Sequence, residues 1–174
     1  MKITKSVKFK YSHGFSLIEL LIVIVIVGIL ASMAVPYLLK AKRASNEASA
    51  IASVRLITRS QIIYRYSSAN NSYATIDQLH AARHLDETLG AAPYNKHGYA
   101  FSVDLIAAAG DLPARFNVQA NPTIHVLTNN ITGTGVRNFG SNETGSIYET
   151  RDNTLVTFDN DTRVVQGTAL PVAN

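Results

Sequence analysis

The sequence predicts an α+β protein: one long N-terminal helix followed by a C-terminal antiparallel sheet packed on its second half. Two observations carry this. Twenty uncharged residues between Glu19 and Lys40 run into an Ala-rich stretch to Tyr66 without Gly or Pro, whereas short alternating segments follow from Tyr99 onward. Strands that follow a helix, and do not alternate with helices, point to a separate antiparallel layer.

The first element is the most distinctive. Phe15 to Leu39 reads FSLIELLIVIVIVGILASMAVPYLL, and the twenty residues between Glu19 and Lys40 carry no charge. At about 1.5 Å per residue they span roughly 30 Å as a helix, the thickness of a bilayer's hydrocarbon core. A helix that packs on a soluble core shows an apolar stripe, not apolar residues all round. The segment is therefore expected to cross a membrane.

Three ways of processing it compete. Ser32-Met33-Ala34 offers a small-x-small site for signal peptidase. The segment is equally long enough for an uncut anchor. A third cut lies before the apolar run, after Gly14. Glu19 discriminates among them. An ionised carboxylate costs roughly 2.5–3.5 kcal/mol at the centre of a membrane helix and less toward its end, and neither a signal peptide nor a passive anchor has a use for it. Cleavage after Gly14 would free an α-amino group on Phe15, at the same end of the helix. In an apolar medium the amine of one subunit and Glu19 of another attract strongly, and either alone is costly.

The run Gly14-Phe15-Ser16-Leu17-Ile18-Glu19-Leu20-Leu21, continued through Gly28 and Pro36-Tyr37, resembles the cleavage and methylation motif of type IV pilins and type II secretion pseudopilins. The resemblance covers roughly residues 10–45 and is specific within that stretch. It implies the pilin fold, a leader of residues 1–14, a membrane and filament-core helix over 15–39, and a head over 40–174 that includes the second half of the helix. It implies a prepilin peptidase that cuts between Gly14 and Phe15 and methylates the new amine of Phe15. It implies pairing of Phe15 with Glu19 between neighbouring subunits, an inner-membrane assembly platform, and a filament of identical or related subunits with the head outside the cytoplasm. The C-terminal cysteine pair common in the family is missing here.

Pro36 removes an amide donor from the helix, and Gly28 is a second weak point. Both are expected helix-break positions: a kink in the isolated subunit, and local melting between them in a filament as the resemblance implies. Beyond Lys40, KAKRASNEASAIASVRLITRSQIIYRY holds no Gly or Pro and reads as continued helix to about Ser67. Ala44, Ala48, Ser49, Ala52 and Ser53 would admit close packing. Ile51, Val54 and Ile57, with Ile62, Ile63 and Tyr66, are expected to form the buried face.

Thr75-Ile76-Asp77-Gln78 fits a capping box opening a short helix through about His84. Gly90 to Gly98 is expected as loop. Tyr99–Val103, Arg115–Gln119, Ile147-Tyr148, Leu155–Phe158 and Arg163–Val165 are the strand candidates, with Asn142–Gly145 and Asp159–Asp161 as turns. Ala120 to Phe139 shows no pattern, being interrupted by Pro122, Gly133 and Gly135.

Composition excludes several functions. There is no cysteine, so no disulfide, thiolate metal site or cysteine nucleophile. Four of the sixteen bases, Lys2, Lys5, Lys8 and Lys10, precede Gly14, and the remaining twelve match the twelve acids. The rest of the chain is neutral, so no basic nucleic-acid face is expected. His80 and His84 have i, i+4 spacing but lack a glutamate between them and a third ligand. Gly133-Thr134-Gly135 has no phosphate-loop context. Asp152, Asp159 and Asp161 do not match a calcium loop. No nucleophile elbow or triad signature joins the serines and histidines. The expectation is a structural subunit with no enzyme activity, no cofactor and no metal, in a pilus-like filament or a secretion pseudopilus. The reading from another class is a membrane-tethered binding domain that never polymerises, with a secreted enzyme cut after Ala34 more distant.

Overall fold

The computed structural model describes residues 14–126 and 132–172. Along the chain it divides into two units, one ending at Tyr37 and one starting at Leu38. Helix α1 (Leu17–Ser67) contributes to both and runs without interruption through Gly28 and Pro36.

The second unit holds the sheet. Two short helices, α2 (Ile76–Ala81) and α3 (Glu87–Gly90), precede strands β1 (Asn95–Lys96), β2 (Tyr99–Ile106), β3 (Arg115–Pro122), β4 (Asn138–Asn142), β5 (Ile147–Thr150), β6 (Thr157–Phe158), β7 (Val165–Gln166) and β8 (Leu170–Pro171). Six of them form an antiparallel sheet in the order β1-β2-β3-β4-β5-β8, and β6 and β7 pair separately. The antiparallel α+β architecture expected from the sequence is what forms.

The core lies between α1 and one face of the large sheet. Val54 and Ile57 of α1 are fully buried, in one cluster with Leu79, Leu89, Tyr99, Phe116, Val118 and Phe139. Tyr73 packs edge-on against Phe116, with ring centroids 4.6 Å apart. The opposite face of the sheet is covered by Val156, Phe158 and Ala169. Here Gly140 is required: a Cβ on it would sit 2.6 Å from Cβ of Val156. Alternate residues of a strand face opposite ways, so Phe139 points at the helix and Gly140 at the second layer.

The buried face of α1 is not the one expected in full. Glu47, Ala50, Val54, Ile57 and Gln61 are buried, whereas Ile62, Ile63 and Tyr66 are exposed, Ile63 by 48% and Tyr66 by 85%. At about 100° per residue, Ile63 lies half a turn round the helix from Val54. The buried position at the end of the stripe goes to Gln61. Its Nε2 donates to the carbonyl of Ala74 at 2.5 Å and its Oε1 accepts from the N–H of Ala74 at 2.9 Å. Of the small residues, Ser53 is buried, while Ala44, Ala48 and Ala52 face out.

An ion-pair network also ties α1 to the sheet. Arg137 donates through Nε to Glu47 Oε2 at 2.8 Å and through Nη1 to Glu149 Oε2 at 2.6 Å. Glu47 Oε1 accepts from the N–H of Val136 at 2.9 Å, and Arg151 Nη2 donates to Glu149 Oε1 at 2.8 Å. Burial pushes the Glu149 pKa up, but the hydrogen bonds from Arg151 and Arg137 outweigh it and hold the carboxyl below its ordinary value. Burial likewise works against the Arg137 cation, and Glu149 and Glu47 more than compensate, so its pKa is raised.

Several boundaries differ from expectation. The Thr75 capping box forms, with Gln78 N–H on Thr75 Oγ1 and Thr75 N–H on Gln78 Oε1. Yet α2 stops at Ala81, before His84, because Arg83 takes a left-handed backbone with φ 59°. Helix α3, capped by the Asp86 carboxylate on the N–H of Leu89, and strand β1 occupy the region expected to lead into and form the loop. Strand β4 falls where no strand was expected to begin, and β8 was not expected either. Only Thr157-Phe158 of the Leu155–Phe158 candidate and Val165-Gln166 at the last candidate pair as strands.

Candidate functional site

The N-terminal unit carries the residues singled out in the sequence. Gly14, Phe15 and Ser16 precede α1, and all three are exposed. The leader segment 1–13 lies outside the described residues. Helix entry is set by Ser16 and Glu19. The carbonyl of Ser16 accepts from the N–H of Leu20 at 3.2 Å, and the N–H of Ser16 donates to Oε2 of Glu19, also at 3.2 Å. The carboxylate folds back over the first turn, where unpaired amides and the positive end of the helix dipole favour an anion.

Behind this acidic cap the first half of α1 contributes no buried residue among those described. Every large apolar side chain from Leu17 to Leu38 is half or more exposed. No atom lies within 4 Å of where a Cβ on Gly28 would stand. Ser32 turns its hydroxyl inward, donating to the carbonyl of Ile29 at 2.7 Å, so its polar atom is satisfied inside the helix. This helix is long and apolar enough to cross a membrane. Burying a Val, Leu or Ile side chain is worth roughly 1.5–3 kcal/mol, so a helix of such residues gains far more from an apolar environment than the one carboxylate costs. The arrangement presents one anion at the head of an uncharged apolar rod.

The other candidates have local structural roles. His80 Nδ1 is 3.2 Å from the carbonyl of Leu85, and the His84 ring meets Tyr64 edge-on. Asp152 accepts from the hydroxyls of Thr154 and Thr168, and Asp159 from Thr162 N–H and hydroxyl and from Asp161 N–H. These bonds lower the pKa of both carboxyls. Each acid thus stiffens its own turn. Among the described residues no group of three or more His, Asp or Glu is placed to hold a metal ion. Thr134, between Gly133 and Gly135, shows its carbonyl to Asn46 Nδ2 at 2.9 Å, bracing the loop against α1.

Residues 9–35 match the model of the prokaryotic N-terminal methylation motif. The chain is 35% identical over 89 residues to type II secretion system core protein G of Escherichia coli, an overlap of 50% of this chain and 60% of the relative. It is 35% identical over 71 residues to the core protein G of Vibrio cholerae, covering 41% of this chain and 47% of that one. It is 42% identical over 64 residues to the type IV wide pilus major component PilA4 of Thermus thermophilus, covering 37% and 47%. The chain spans about half the length of these relatives. No solved structure matches it significantly. The N-terminal methylation motif therefore sits on an exposed apolar helix that opens with Glu19, and the chain is similar to proteins of both type II secretion and type IV pilus systems.

Proposed function

We propose that this chain is a structural subunit of a type IV pilus-like filament. It is made as a membrane-anchored precursor, cut by a prepilin peptidase after Gly14, N-methylated at Phe15 and polymerised through the first half of α1. The observation that supports this most is the single carboxylate of Glu19 at the head of an apolar helix with every large side chain exposed. In the precursor the Ser16 amide satisfies one oxygen of that carboxylate, which lets the helix rest in the membrane. After the cut, the Phe15 amine of one subunit neutralises Glu19 of the next and sets their axial register. Gly28 and Pro36 are then the positions where the helix loosens as it leaves the membrane. The N-terminus faces the cytoplasm, the head lies outside it, and an inner-membrane platform feeds subunits into the filament.

The similarity to core protein G of two type II secretion systems favours a second reading, a pseudopilin whose filament stays within the envelope. N-terminal sequencing of the protein purified from membranes and from sheared surface filaments tests both. The expected mature chain starts at a methylated Phe15, and Gly14→Val blocks the cut. A start at Val35 identifies a signal peptide instead. Abundant subunit in the sheared fraction marks a pilus; mature subunit found only in the cell envelope marks the pseudopilin.

A further inference from the structure

Positive charge collects where the apolar half of α1 ends. The uncharged run closes at Lys40, and Lys42 and Arg43 follow at once, with no acid between Glu19 and Glu47. Lys40 and Lys42 are exposed and Arg43 is half-buried. Glu47, one turn beyond Arg43, is the carboxylate that helical spacing would offer it. The fold uses that carboxylate elsewhere: Oε1 accepts from the Val136 N–H and Oε2 from Arg137. Arg43 keeps one long bond, from Nε to the carbonyl of Leu39 at 3.4 Å. Neither Arg43 nor Lys42 pairs with a carboxylate among the described residues.

The three bases also share a side of the helix. At about 100° per residue they span roughly 160°, on the side that turns Glu47 and Ala50 toward the sheet. The first buried residue of α1 is Glu47, so the bases lie between the uncharged run and the part that the sheet covers. The β1–β2 turn is held at this end of the sheet, where His97 Nδ1 is 2.7 Å from Ser49 Oγ. Ser49 lies roughly 9 Å along the helix from Arg43. Beside His97 stands a further cation, Lys96.

We propose that Lys40, Lys42 and Arg43, with Lys96 of the β1–β2 turn, bind the phosphate groups of anionic phospholipids. The proposal rests on the membrane-anchored reading above. As a helix the uncharged run matches a hydrocarbon layer of roughly 30 Å, so the residue that ends it stands at the headgroups. The headgroup region on each side is roughly 5–8 Å deep, and Lys40 to Arg43 rise through about 5 Å. Long lysine and arginine stems lie along the apolar boundary while their cations reach phosphate, and a guanidinium can hold two phosphate oxygens at once. Bound lipid fixes the depth at which the subunit waits before assembly.

The full-length chain, purified in a neutral detergent, is titrated with phosphatidylglycerol and separately with phosphatidylcholine, and bound lipid is counted by native mass spectrometry. A base near an anionic surface adds about fivefold in affinity, so three should give phosphatidylglycerol an advantage of roughly a hundredfold. Lys40→Gln, Lys42→Gln and Arg43→Gln combined should abolish that preference, and Lys96→Gln alone should lower it about fivefold. Arg55→Gln with Arg59→Gln, exposed bases further along the same helix, should leave it unchanged. Glycerol phosphate should displace the lipid only at far higher concentration; displacement at equal concentration would identify a site for soluble anions and overturn the lipid assignment. Equal binding of the two lipids, or a preference that survives the triple substitution, would overturn this proposal alone. Release of the wild-type chain from membranes by alkaline carbonate would overturn the membrane-anchored reading and the proposal with it.

Discussion

Glu19 is the residue on which the proposed assembly turns. Replacing it with alanine makes the helix more apolar, so membrane insertion should be normal and leader cleavage near normal. Filament should be lost or strongly reduced, because the Phe15 amine of the neighbour then enters an apolar core without a counter-charge. Glu19→Gln should fail in the same way, since it keeps the size but not the charge. The amount of subunit in filaments relative to membranes is the measurement, and wild-type levels from both variants would end the pairing mechanism. Glu149 makes a second case, this time for stability. Its folded pKa lies below the ordinary value, so it contributes stability above the unfolded pKa that is lost as pH falls through the folded one. Asp152 and Asp159 act with the same sign. Wild-type stability should therefore fall as the pH drops below about 4.5, the ordinary value for a glutamate. Glu149→Gln should be less stable at pH 7 by about 1–3 kcal/mol and should lose less on acidification. Denaturant midpoints at pH 7 and pH 3.5 give the comparison; equal acid losses in both proteins would show that the Arg137 network does not carry the effect.

The second half of α1 illustrates how an element is positioned by polar groups as well as apolar ones. Val54 and Ile57 supply the apolar contacts, while Gln61 closes both backbone groups of Ala74 and so fixes where the chain returns after the helix. Gln61→Leu fits the apolar surroundings but leaves a buried N–H and C=O unpaired. The expected cost is about 1–3 kcal/mol in denaturant unfolding, with protection of the α2 amides from hydrogen exchange falling first. An unchanged midpoint would show that water or a shifted loop satisfies Ala74. Strand β4 is the clearest element that local sequence does not announce. All five of its residues are buried, three of them Asn or Ser, and Asn138 and Asn142 are stabilised by partners distant in sequence. Their low strand propensity is overridden by pairing with β3 on one side and β5 on the other.

The whole molecule separates into a segment whose large apolar side chains are exposed and a unit that has its own core. A fragment from Lys40 to Asn174 keeps Ala50, Val54, Ile57 and the sheet they cover, and it should be soluble and melt cooperatively without any disulfide. A fragment from Ser68 lacks the covering helix and exposes Phe116, Val118, Tyr99 and Phe139, so it should aggregate or unfold at a lower temperature. Equal midpoints for the two would show that the helix does not cover the core.

By itself the sequence determined the apolar segment, the position of Glu19 four residues after Phe15, the helix to Ser67, the Thr75 capping box and the existence of an antiparallel sheet. Each rests on short-range chemistry: solvation of side chains, helix period and capping between near neighbours. Only the tertiary structure decided which side of α1 is buried past Ile57, that Glu47, Arg137 and Glu149 meet, and that a Gly-Asn-Ser segment becomes a central strand. Those outcomes depend on partners far apart along the chain, brought together by packing, and no local pattern specifies which partner a residue will meet. Ile62, Ile63 and Tyr66 show the difference plainly. They are apolar and at helical spacing, yet the sheet reaches only one side of the helix, and these residues stay exposed.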